Sequence, residues 1–192
     1  MPGIVLLKFN INLSVKYSFI MSNATTGLKA GVVAGIVYGI LDGVFAFLAL
    51  IVFKSIVMAV LQKEASSLSS VGGITISAQT LYNAALASAF IVSIVVGIVG
   101  GLILGAIFGA AYHRVPGRTA TYKGVAFGFI LWVILNVLLG ITNIFTYNLT
   151  YYLFGIGCGL IAAMVYGYLV GFLYGKWSTS NAPIQEEPQT FP

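Results

Sequence analysis

The chain has 192 residues, of which 59% are hydrophobic and 7% charged, and its mean hydropathy is +1.03; a soluble domain carries about 25% charged residues, so an ordinary soluble fold is excluded and an integral membrane protein is expected. The net charge of +5 does not indicate nucleic acid, because the basic residues sit at the ends of apolar stretches rather than in a stripe. Cys158 is the only cysteine and His113 the only histidine, which excludes an internal disulfide and a Cys or His cluster for zinc, haem or iron–sulfur; no cofactor is expected.

Spanning a bilayer takes roughly 20 apolar residues, and four stretches qualify, about 30–53, 86–112, 124–145 and 151–174. The expected fold class is an all-α integral membrane protein, a four-transmembrane-helix bundle over residues 27–176. A poorly ordered extension (1–26) precedes it and a disordered tail (177–192), rich in Pro, Ser and Gln, follows. In the extension, Phe9, Ile11, Leu13, Val15, Tyr17 and Phe19 alternate with other residues at the period of a half-buried strand. Nothing pairs with it, and a lone strand is unstable in water. Lys8 interrupts the apolar run too early for a secretory signal peptide, and Met21, just before the first span, is an alternative translation start.

The first span carries Gly27, Gly31, Gly35, Gly39 and Gly43 at every fourth position, and with them Asp42, the only acid inside any span. The connection 54–85 is the one long extramembrane segment. Ile56, Val57, Val60 and Leu61 recur at helical spacing, so a helix is expected to continue or bend along the surface to Ala65. Ser66, Ser67, Ser69, Ser70, Gly72 and Gly73 then predict a turn-rich loop, and Ser77 an N-cap. A helix from Ala78 to Tyr112 measures about 50 Å at 1.5 Å per residue, so it must tilt or protrude beyond roughly 30 Å of hydrocarbon. It carries Ala85, Ala89, Ser93, Gly97, Gly101, Gly105 and Gly109, and ends at His113, Arg114 and Arg118. Those three read as positive-inside anchors, with contact to lipid headgroup phosphate or to the helix C-terminus as the alternative. Pro116-Gly117 marks a turn. The third span contributes Asn136 and Asn143, and Asn148-Leu149-Thr150 is a permitted glycosylation sequon. The fourth carries Gly155, Gly159, Ala163, Gly167, Gly171 and Gly175; Cys158 among them reads as a small packing residue.

Such spacing weakens a helix in water by about 1 kcal/mol per glycine, but in a bilayer it lets backbones approach closely. Gly31, Gly35, Gly39, Gly43, Gly97, Gly101, Gly105, Gly109, Gly159, Gly167 and Gly171 are therefore the expected helix-packing positions. Each four-residue step drifts by about 40°, so the six steps from Ala85 to Gly109 wind roughly 240° and predict different partners at the two ends of the second helix. The ladders present more small-residue surface than a four-helix core needs, which favours a homo-oligomer or packing with other membrane subunits. A faint repeat relates Gly101-Leu102-Ile103 to Gly159-Leu160-Ile161 and Tyr38, Leu41, Asp42 to Trp132, Leu135, Asn136. It reads either as two like-oriented hairpins or as chance similarity between apolar helices.

Seven basic residues (Lys8, Lys16, Lys29, Arg114, Arg118, Lys123, Lys176) flank the termini and the short middle connection, against Lys54 and Lys63 in the long one. Both termini are expected to face the cytoplasm. An ionised carboxyl at the depth of Asp42 costs about 2.5–3.5 kcal/mol, so it must be protonated, paired or wet. Lys29 and Lys54 lie about 20 Å off along the axis. The remaining partners are Asn136, Asn143, Ser93, Thr142, tyrosine hydroxyls or a cation. Asp42 is read either as a functional acid or as a protonated residue holding Asn136 in interhelical glue worth about 0.6 kcal/mol. One acid at depth does not supply two poised catalytic groups, and no phosphate-cradling loop is present, so an enzyme is not expected. The leading expectation is a structural or assembly subunit in the cell membrane. The alternative is a small ion or solute channel or transporter using Asp42 in a homo-oligomer.

Overall fold

The structure, a computed structural model, describes residues 3–72 and 76–179. Among the described residues six α-helices follow in order: α1 (Gly3–Val52), α2 (Lys54–Gly72), α3 (Ala78–Ala111), α4 (Ala120–Trp132), α5 (Thr142–Thr146) and α6 (Leu149–Thr179), with a π-helical segment, Val133–Leu138, continuing α4. There is no strand among the described residues. Four helical stretches, Asn23–Val52, Ala78–Ala111, Ala120–Thr146 and Leu149–Ser178, are long and apolar enough to cross a membrane, consistent with a membrane location.

The alternation over Phe9–Phe19, read as part of a poorly ordered extension, lies within α1, which is continuous from Gly3; a helix satisfies backbone polar groups without a partner strand. The expectation of a turn-rich loop over the serines is corrected: the stretch is helical through Gly72, and Gly73 lies outside the described residues. Ser66 and Ser67 donate their hydroxyls to the carbonyls of Lys63 and Glu64 (2.8 and 2.9 Å), so their polar groups are met inside the helix. The tail from residue 180 onward lies outside the described residues, and α6 itself runs on through Thr179.

Local chemistry sets the other boundaries. Ser77 caps α3 as expected, its hydroxyl accepting from the Thr80 N–H (3.1 Å). Thr119 does the same for α4 with Tyr122 (3.3 Å), and Asn148 for α6 with Tyr151 (2.8 Å). Between α3 and α4 the chain reverses through Gly117 at φ 143°, a conformation open to glycine.

α1 packs on α3 and α4 on α6, and α1 also meets α6, joining two helical hairpins. Along the first pair the backbones themselves touch. A methyl added at Gly27 would meet main-chain atoms of Gly105 and Gly109, one at Gly31 those of Gly101 and Gly105, and one at Gly35 those of Gly97 and Gly101. Gly39 faces the backbone of Ser93 and Ile94, while Gly43 faces Phe90. In the second pair Gly124 meets Gly167 and Gly171, and Gly128 meets Ala163 and Gly167. From Gly97 to Gly109 the glycines of α3 keep α1 as their partner, while α2 also packs on α3. A four-residue period exceeds 3.6, so two helices that keep it at their contact wind around each other right-handedly and remain partners.

The core collects where all four long helices meet, near the end that carries His113 to Lys123, here called the basic end. Ala30, Ala34, Phe108, Phe127, Tyr166, Val170 and Tyr174 are buried there. Phe108 packs against Phe127 and Tyr174 with ring centroids 5.3 and 5.4 Å apart. At the opposite end, Phe53 meets Tyr151 and Phe154 at 5.5 and 5.4 Å.

Candidate intramembrane polar site

Asp42 follows Gly39 by less than one turn, so it rides at the edge of the α1–α3 contact rather than outside the bundle. Its Oδ2 accepts a hydrogen bond from the Ser93 hydroxyl of α3 (3.1 Å), and Ser93 is buried while Asp42 is half-buried. Tyr38 lies one turn away on α1 and sets its ring edge-on to Tyr166 of α6, with centroids 6.0 Å apart. The Tyr166 hydroxyl in turn donates to the carbonyl of Gly101 (3.3 Å). Asp42 and Tyr38 are thus neighbours on α1, the one bonded to α3 and the other packed on α6.

Neither asparagine joins Asp42. Asn136 sits on the π-helical segment with its amide against Gly159, bordering a cavity between the hairpins. The glue expected between Asp42 and Asn136 is thus replaced by the Ser93 contact, because α1 pairs with α3 and α6 whereas α4 and its π segment pair with α6. Asn143 lies in α5, which packs on α6 near the end opposite the basic one. The suggested repeat also fails in register. Asn136 faces Gly159, but Gly101 faces Gly31 and Gly35, two turns from Asp42.

The π segment itself had no signal in the sequence. Its wide turn is bracketed by side-chain donors: the Trp132 indole N–H bonds the Ile156 carbonyl (3.0 Å) and the Tyr152 hydroxyl the Val137 carbonyl (2.9 Å). Such insertions recur at functional sites in other helices. Of the remaining glycine positions, Gly109 faces Asn23 and Ala24, and Gly171 faces Ala120 and Gly124.

At the basic end His113, Arg114 and Arg118 are exposed. The C-terminus of α3 is complemented by Lys123 instead, whose Nζ donates to the Tyr112 carbonyl (2.9 Å) and lies 4.3 Å from the centre of the Tyr112 ring. At the far end Tyr147 stacks on Tyr151 (4.3 Å). Burial, then the negative charge of Glu64, pushes the Tyr147 phenol up. No group of three or more metal-ligating side chains occurs among the described residues.

Residues 22–185 match a family of unknown function, DUF6789. The chain belongs to that family. The matched DUF6789 region contains all four candidate spans together with Asp42, Ser93, Tyr38, Tyr166 and Asn136. No curated protein and no solved structure shows significant similarity to the chain.

Proposed function

We propose that this DUF6789 protein is a non-enzymatic multi-pass membrane protein that takes up and releases a proton or small cation at Asp42. The observation that carries the reading is the Ser93–Asp42 hydrogen bond: a carboxyl at membrane depth whose partner is a neutral hydroxyl. With no basic side chain paired to it among the described residues, the charge of its ionised form must be met by a proton or a cation, and intramembrane acids mark ion pathways. The glycine surfaces favour this reading over docking of other proteins' helices. Gly27 to Gly39, Gly97 to Gly109 and the pairs around Gly124 and Gly167 are taken up by contacts within the chain, acting as two packing seams that hold the site. The basic residues favour cytoplasmic termini, with His113, Arg114 and Arg118 as headgroup anchors.

A homo-oligomer is the second reading, favoured by the half-buried state of Asp42. Facing hydrocarbon is unfavourable for a carboxyl, and a neighbouring copy would cover it. The test is flux of protons and monovalent cations into vesicles reconstituted with full-length protein. Wild type should conduct, and Asp42→Asn, nearly equal in volume, should lose flux while keeping its thermal stability and its mass by native mass spectrometry. Flux retained in Asp42→Asn would rule out Asp42 as the titrating site, and absence of flux in wild type would contradict the ion reading. If Asp42 is interhelical glue, Asp42→Leu destabilises the bundle and Asp42→Asn does not.

A further inference from the structure

About one turn along α1 from Asp42, a cavity of ≈ 150 Å³ opens between the two hairpins, walled by Tyr38, Gly97, Gly100, Trp132, Asn136 and Tyr166 among others. Its position follows from the pairing already described: α3 is zipped to α1 and α4 to α6, which leaves the facing sides of α3 and of the π segment apart. Its size is that of a hole that accepts a benzene-sized molecule. No charged side chain lines it, so it does not suit an ion.

Its polar groups divide into two kinds. The Tyr166 hydroxyl and the Trp132 N–H already spend their protons on the carbonyls of Gly101 and Ile156. Tyr38 and Asn136 line the same space, and the hydroxyl of the one and the amide of the other make no hydrogen bond to a described residue. Polar groups at membrane depth are stabilised when a partner fills their bonding capacity, and both of these can donate and accept. A lipid acyl chain would fill the volume and leave both unmet. At Gly100 an added Cβ would touch nothing within 4 Å, so this wall has room in front of it.

We propose that the inter-hairpin cavity is a binding site for a small neutral amphiphile, an aromatic ring or short aliphatic body bearing one hydroxyl or carbonyl group, whose polar end is held by Asn136 and Tyr38. This site is separate from the ion reading of Asp42 and stands or falls independently of it.

The chain has two tryptophans, and Trp177→Phe leaves Trp132, in the cavity wall, as sole emitter. The probe is 4-bromophenol, whose bromine quenches indole fluorescence, titrated against full-length Trp177→Phe protein in nanodiscs with bromobenzene as its apolar counterpart. Quenching by 4-bromophenol should saturate, be reversed by excess phenol, and occur at about tenfold lower concentration than for bromobenzene, the ratio expected for one good hydrogen bond. Gly100→Val should weaken both probes by filling the cavity. Tyr38→Phe and Asn136→Leu, which preserve most of the volume, should each bring 4-bromophenol close to bromobenzene and leave bromobenzene binding unchanged. Quenching that rises linearly without saturation, or equal affinity of the two probes in the unaltered cavity, would mean simple partition into the bilayer and would overturn the proposal.

Discussion

The two hairpins are built on the same small-residue spacing and use it differently. Between α1 and α3 the backbones meet at successive glycines from Gly27 to Gly39, and even Gly43 finds Phe90 and Ser93. Between α4 and α6 the same contact holds at Gly124 and Gly128, then stops: the next positions are Trp132 and Asn136, the helix widens into a π turn, and Gly159 meets a side-chain amide instead of a backbone. Gly155 and Gly157 beyond it meet nothing within 4 Å. Close packing leaves no room for a ligand, whereas its interruption creates room. The first hairpin thus reads as scaffold with one acid at its edge, and the second as the half whose departure from regular packing opens the cavity.

If the α1–α3 seam is the scaffold, the largest effect belongs to Gly31→Leu. Its side chain would have to enter backbone atoms of Gly101 and Gly105, and overpacking of this kind costs about 1–3 kcal/mol or more. Loss of the folded bundle, or a large fall in its melting temperature in detergent, is expected; an unchanged melting temperature would break the comparison. A middle-sized effect is expected for Trp132→Phe, which removes the hydrogen bond to Ile156 from the irregular half. Interhelical bonds in membranes average about 0.6 kcal/mol and reach about 1.7. The loss should appear as faster amide exchange around the π segment with α1 and α3 unaffected. The smallest is Ser93→Ala, which removes the donor to Asp42 at similar volume. It should lower stability by about 0.6 kcal/mol, and a loss as large as that of Gly31→Leu would break the comparison.

Much of the scaffold was legible in the sequence because its signal is local. The apolar lengths announce the four spans, and the spacing of Gly27 to Gly43 and Gly97 to Gly109 announces positions where only small residues fit. Caps at Ser77 and the turn at Gly117 follow from single residues whose chemistry is the same in any fold. What was not legible depends on pairing. Ser93 stood among several possible partners of Asp42, and only the antiparallel register of α1 and α3 selects it over Asn136. The serines after Ala65 misled for a related reason: propensity describes isolated segments, and here hydroxyls bonded back to the carbonyls of Lys63 and Glu64 are accommodated by continuing the helix. The π segment is set by Trp132 and Tyr152 reaching carbonyls across to and from α6, which no window of the third span contains.

Two neighbouring glycines allow the most direct test of backbone packing as the force that holds this fold. Gly100 and Gly101 share a helix and the same gain in helix propensity on replacement by alanine, but a methyl at Gly101 meets the backbone of Gly31 and Gly35 while one at Gly100 meets open space. The measurement is thermal unfolding of Gly100→Ala and Gly101→Ala side by side in the same detergent. Packing at the seam predicts that Gly101→Ala melts well below wild type and that Gly100→Ala melts at or slightly above it. Equal shifts for the two variants, in either direction, would contradict it.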